Sequence, residues 1–220
     1  TLSASSAASD VYKRQLKFSS DKFEVTEDDF DDLKGMFKGR KVFLAASTHL
    51  GEEKIISEIT NKIRESKKEF ITVIVPRHPN RTKLLDQMTN SKVVMRSSNE
   101  KVDQATDIYL ADTFGELGIF YKLADFIFIG GSFVPHGGQN PIEAAYFCNN
   151  IFHGKYIENF SEVYETLNHL LISESVDNPR QLQIKLMNCY DAPPPDENEL
   201  KKKINIEASD ILKDTMHYLN

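Results

Sequence analysis

The densest run of chemistry-bearing residues in the chain is Gly130-Gly131-Ser132-Phe133-Val134-Pro135-His136-Gly137-Gly138-Gln139-Asn140-Pro141-Ile142-Glu143. It follows the apolar residues 126–129, so it reads as a strand, a glycine-rich loop and the start of a helix. Two glycine pairs would let the backbone approach a ligand closely. A helix opening near Asn140 would aim its positive end at the same space. Glu143, one turn in, carries a carboxylate that can accept hydrogen bonds from a ribose diol. Capping explains part of the run, with Asn140 as N-cap, Pro141 at the first helical position and Glu143 two further on. Capping alone does not call for four loop glycines. The spacing is neither the GxGxxG dinucleotide fingerprint nor a P-loop, because GK[ST] is missing.

Three more turns place reactive side chains after apolar runs. Ser47-Thr48-His49-Leu50-Gly51-Glu52 can offer hydroxyls and helix amides to an anion, or can simply cap a helix through Ser47 or Thr48. In Pro76-Arg77-His78-Pro79 an arginine is held between prolines, which fixes its backbone and presents a guanidinium fork suited to phosphate. His78 is either a hydrogen-bond partner or a packed loop residue. Asp112-Thr113-Phe114-Gly115-Glu116-Leu117 could turn its amides toward a base or sugar with Phe114 as cover, or could cap a helix with Phe114 in the core.

Positioning these turns requires an alternation of short apolar runs and helical patterns, the signature of a parallel sheet with crossover helices. Candidate strands are residues 42–46, 71–75, 93–95, 108–110, 126–129 and 151–152. Ile55, Ile56, Ile59 and Ile63 recur at helical spacing. Residues 114–123 and 141–147 read as further helices, and Val163, Tyr164, Leu167, Leu170 and Leu171 mark another. After Ala192-Pro193-Pro194-Pro195, residues 197–203 and 207–219 read as terminal helices packed on the domain, with Lys201–Lys203 a solvated face. In open sheets of this kind ligands bind outside the C-terminal strand ends, where all four turns fall.

The 220 residues suit one α/β domain, 40% hydrophobic and 27% charged. A net charge of −6 argues against a nucleic-acid-binding surface. Cys148 and Cys189 have no metal-like spacing and suit a reducing compartment. No apolar run approaches the roughly 20 residues of a membrane helix. The chain begins with Thr1, which reads as a fragment or processed product. Residues 1–15 read as a disordered or artefactual tail, without the apolar centre of a signal peptide. The domain proper is residues 16–220.

Taken together, Ala46-Ser47-Thr48-His49, Pro76-Arg77-His78-Pro79, Asp112 through Gly118, and Gly130-Gly131-Ser132 through Asn140-Pro141-Ile142-Glu143 resemble, in order, the 3-deoxy-D-manno-octulosonic acid (Kdo) transferase family. Leu16-Lys17-Phe18 and His153-Gly154 through Asn159-Phe160 resemble further family segments. Gln139 stands where many members have His, and Lys155-Tyr156 where Pro-His is common.

The resemblance implies a Rossmann-like α/β fold, the C-terminal domain of a GT-B glycosyltransferase, binding the donor CMP-Kdo with no cofactor and no metal. It places Arg77 on the CMP phosphate, Ser132, Asn140 and Glu143 in the donor pocket with Glu143 toward the ribose, and Phe114, Gly115 and Glu116 against the nucleotide. Thr48, His78 and Gly131 complete the expected donor set. The family's reaction is an inverting, metal-independent transfer of Kdo to a lipid A precursor in lipopolysaccharide core synthesis. It runs at the cytoplasmic face of the bacterial inner membrane. The resemblance puts the catalytic base, acceptor site and membrane anchor in an N-terminal domain, so no base is nominated in this chain, which is expected to be soluble and inactive alone.

Asp29-Phe30-Asp31 spells the DxD with which metal-dependent glycosyltransferases hold a cation. It lies in the acidic run 27–32, better read as a first helical turn capped by Thr26. The six histidines show no metal-ligand spacing. Other readings are another GT-B nucleotide-sugar enzyme, such as a UDP-sugar transferase or epimerase, and a non-catalytic nucleotide-binding module.

Overall fold

The computed structural model describes residues 27–79, 84–88, 90–98, 100–148, 150–193, 196, 198–200 and 202. The expected tail, residues 16–18, the Thr26 cap and residues 207–219 lie outside them, as does most of 201–203. Residues 198–200 are helical, with the Asp196 side chain accepting the Asn198 and Glu199 amides at 2.8 and 3.2 Å.

Apolar, largely β-branched or aromatic runs become strands because both faces of the sheet are covered. The strands are β1 (Lys41–Thr48), β2 (Phe70–Pro76), β3 (Val93–Met95), β4 (Ile108–Leu110), β5 (Phe126–Ile129), β6 (Ile151–His153) and β7 (Ser173–Ser175). They form one seven-stranded sheet in the order β3-β4-β2-β1-β5-β6-β7, and every pairing is parallel. β7 escapes a sequence reading because Ser-Glu-Ser is polar, and two of its three residues are exposed at the sheet edge.

The helices are α1 (Glu27–Met36), α2 (Glu52–Arg64), α3 (Leu117–Leu123), α4 (Ile142–Ala145), α5 (Ser161–His169) and α6 (Pro179–Cys189). The acidic run 27–32 forms the first turns of α1, where negative charge meets the positive helix end. Alternate strand residues divide the core. Val42, Leu44, Ala46, Val73 and Ile127 pack with Leu33, Phe120, Ile142 and Tyr164 from α1, α3, α4 and α5. Phe43, Ile74, Phe126 and Phe128 pack with Ile56, Ile59, Ile63, Leu182 and Leu186 from α2 and α6.

Two helical expectations are corrected. The 114–123 segment becomes helical only at Leu117, and Phe114 is 71% exposed in the preceding turn instead of in the core. The 141–147 segment supplies only the four residues of α4. Asn140 Oδ1 accepts the Ile142 amide at 3.0 Å, but Pro141 and not Asn140 occupies the cap position. So short a helix cannot supply the dipole expected of it. α6 is an addition. Its N-cap, Asn178, accepts the Gln181 amide at 3.0 Å, and Pro179 opens the helix, a start signal present in the sequence.

Candidate functional site

The chain leaves β1 for β2 on one side, and β5 pairs on the other, so strand order reverses between β1 and β5. In an open parallel sheet this switch point opens a crevice beyond the carboxyl ends of the two strands. The Ser47–His49 turn and the Gly130–Gln139 loop form its walls. A bulge interrupts β1 between Ala46 and Thr48, and Ser47 sits there at φ 55, a left-handed conformation unusual for a residue with a Cβ. Such strain persists only where surrounding structure imposes it, often at functional sites.

The Pro76–Pro79 turn joins this wall. The Arg77 amide donates to the Thr48 carbonyl at 3.0 Å, while the Arg77 and His78 side chains are exposed. The His78 ring lies edge-on to His49, centroids 6.3 Å apart. His49 in turn lies 3.7 Å from the His136 ring across the crevice, and its Nε2 is 3.1 Å from Gln139 Nε2. The sequence reading passed over His49 and His136, although both stand inside runs it singled out. Three imidazoles thus gather at the switch point beside the backbone of Arg77, side chains able to meet an anion by hydrogen bond.

The glycines do something other than expected. A Cβ on Gly130 would stand 2.5 Å from the Ser47 carbonyl oxygen, and one on Gly137 would run into the Asn159 side chain. On Gly138 it would come within 3.1 Å of the Tyr156 carbonyl oxygen, and on Gly131 within 3.1 Å of the His49 ring. Protein, not an open ligand space, fills the room these residues leave. They let backbone and side chains of the chain itself close up.

The amides at the head of the loop are also occupied. The Gly131 amide donates to Glu52 Oε2 at 2.7 Å, and those of Ser132 and Phe133 donate to Oε1 at 3.1 and 3.0 Å. The His49 amide completes the set, 2.9 Å from Oε2. Glu52 opens α2, with no exposed surface. Burial pushes its carboxyl above the ordinary range, and the four amides pull it back. In the sequence Glu52 stands out only as the last residue of the turn that opens at Ser47. Three of its four partners lie 79 to 81 positions away and carry no local signal.

Two of the expected donor residues support the walls from beneath. The fully buried Ser132 hydroxyl donates to the Ile129 carbonyl at 2.5 Å and accepts the Gly154 amide at 2.8 Å. Buried Thr48 donates to Glu53 Oε1 at 2.7 Å. Glu143 is half-buried in α4, and burial raises its carboxyl pKa. The Gln139 carbonyl accepts the Tyr164 hydroxyl at 2.8 Å, anchoring the loop just before Asn140.

Phe114, Gly115 and Glu116 follow β4, at the same sheet edge but beyond β2. Gly115 takes φ 88, which glycine adopts without strain. Glu116 Oε1 accepts from Arg96 Nη2 and Nε at 2.8 and 3.0 Å, and its other oxygen accepts from the Thr113 hydroxyl. Its carboxylate is therefore committed to holding the turn. Asp29 of the DxD lies on α1, 3.9 Å from Arg96.

A parallel sheet of this order, with its crevice at the β1–β5 reversal, defines the class: an open, Rossmann-like α/β domain. No family model matches the chain. Among curated proteins, the Kdo transferase of Rickettsia felis is 32% identical over 174 residues, 78% of this chain and 37% of that protein. The Kdo transferase of Haemophilus influenzae is 35% identical over 62% of this chain and 33% of its own length. The structure of the C-terminal CMP-Kdo binding domain of WaaA from Acinetobacter baumannii superposes with a TM-score of 0.69 at 24% identity, over 84% of this chain and 96% of that one. The chain belongs to the Kdo transferase family and spans about a third of the length of the curated relatives it matches.

Proposed function

We propose that this chain is the donor-binding domain of a Kdo transferase and holds CMP-Kdo in the crevice between β1 and β5. The observation that carries this reading is the cluster of His49, His78 and His136 at the strand switch point, with the Arg77 backbone tied to the same turn. CMP-Kdo presents a phosphodiester and a carboxylate, two negative charges that such a wall suits. Arg77 takes the phosphate, with His78 beside it. Glu143 accepts hydrogen bonds from the ribose diol, and Asn140 lines the same wall. The Phe114–Glu116 turn lies against the nucleotide, with the exposed Phe114 ring covering the base. Thr48, Gly131 and Ser132 belong to the site as its supports.

The complete enzyme transfers Kdo with inversion to a lipid A precursor for lipopolysaccharide, at the cytoplasmic face of the bacterial inner membrane. Nucleotide charge is met by guanidinium and imidazole groups instead of a divalent cation, the preorganised electrostatics that lower a barrier to phosphate departure. The base and acceptor site belong to the part of the relatives that this chain does not span. No described helix is long and apolar enough to cross a membrane. Calorimetric titration tests the reading. CMP binds more tightly than UDP, and Arg77→Ala weakens CMP binding at least tenfold. Tighter binding of UDP would favour a different GT-B donor.

A further inference from the structure

We infer that Glu52 is a positioning residue: its carboxylate fills the amide nest at the head of the glycine-rich loop and fixes the width of the donor crevice. This rests on the donor-site reading above and extends it to how the site is held open. One carboxylate joins both walls, since Oε2 takes the His49 amide from the β1 side and the Gly131 amide from the β5 side. Oε1 takes Ser132 and Phe133. Successive backbone amides pointing at one centre form an anion-binding concavity, and here the anion is internal. The first turn of α2 adds its own favourable field to the carboxylate.

Two consequences follow from the geometry. The loop amides are spent, so the donor's anionic groups are met by side chains. The spacing of those side chains also depends on Glu52, because the tied His49 and the tied loop head set the 3.7 Å His49–His136 approach and the 3.1 Å contact of Gln139 with His49. A neutral glutamine of the same shape can serve only one pair of amides. Its NH₂ group would face the other pair donor to donor.

The test uses the 220-residue chain in two arms. In the first, amide hydrogen exchange of the wild-type chain is followed by NMR, alone and with CMP. The inference expects His49, Gly131, Ser132 and Phe133 to be protected without nucleotide and to stay so with it. Exchange at exposed-loop rates in the free protein would overturn it, as would transfer of these amides to the nucleotide. In the second, folded Glu52→Gln is titrated with CMP. The expected loss of affinity is fivefold or more, and a smaller loss overturns the positioning role. A merely structural residue would lower stability while leaving the affinity of the folded fraction unchanged. Should Glu52→Gln fail to fold, the exchange arm decides alone. Should wild-type protein fail to bind CMP, the donor-site reading falls, and exchange in the free protein still decides whether the nest is filled.

Discussion

Replacing Gly130 with alanine tests how closely the two walls of the crevice are built together. Gly130 donates its amide to the Ala46 carbonyl at 2.8 Å, so its backbone is fixed against β1. The added methyl carbon would stand 2.5 Å from the Ser47 carbonyl oxygen and 2.7 Å from both the Ser47 carbonyl carbon and Thr48 Cα. Ordinary carbon contacts need roughly 3.5 Å or more, and all three neighbours are backbone, so no rotamer change relieves the clash. Either β1 and β5 separate at their ends or the left-handed Ser47 turn refolds. Overpacking of this kind costs about 1–3 kcal/mol, occasionally more, and rigid backbone on every side argues for about 3 kcal/mol. Against a total of roughly 5–15 kcal/mol for a domain, that is a large share. With a urea dependence of about 2 kcal/mol per molar, the unfolding midpoint drops by roughly 1.5 M. Circular dichroism in a urea series reads it directly. Gly35→Ala is the control: a Cβ there meets nothing within 4 Å, on the exposed side of α1. It should raise stability by about 0.4–1 kcal/mol. A Gly130→Ala midpoint within about 0.2 M of wild type would refute the close-packed account of the loop.

Three further outcomes are expected. Arg77→Ala leaves the urea midpoint unchanged, because the side chain is exposed, while CMP affinity falls at least tenfold in calorimetry. Asn178→Ala removes the cap that accepts the Gln181 amide and costs about 1 kcal/mol in the same urea assay. Burial lowers the pKa of His153 from its ordinary 6.5, so the unfolded chain takes up its proton first. His153 therefore adds stability above about pH 6.5 that is lost as pH falls through its folded value, by up to about 1.4 kcal/mol per unit. Urea midpoints measured from pH 7.5 to 5.0 should converge for wild type and His153→Asn if this is right, and stay parallel if it is not.

The sheet was legible because its central strands are apolar on both faces. Phe126–Ile129 and Ile108–Leu110 can be read directly as short buried runs between turn residues, and Val93–Met95, at the opposite edge from β7, is apolar too. Ser173–Ser175 carries no such pattern, since an edge strand gains its pairing from β6 and not from its own composition. α6 was written in Asn178-Pro179 and was passed over beside the louder triple proline that follows.

Within the site, the Arg77 turn was legible because flanking prolines and a strand end fix its place locally. The glycine loop was legible as a loop but not in its purpose. Glycine records only that something comes close. Here the close neighbours are Ser47, Asn159 and Tyr156, not a ligand. Glu52 was hidden because its role exists only once a loop some 80 residues later folds over it.

The most direct test of the donor crevice is a crystal structure of the chain with CMP bound. The account predicts the phosphate within hydrogen-bond distance of the Arg77 guanidinium, beside the packed His49 and His136 rings, with Glu52 still holding the loop amides. Nucleotide bound at another sheet edge, or a phosphate seated on the Gly131–Phe133 amides with Glu52 displaced, would contradict it.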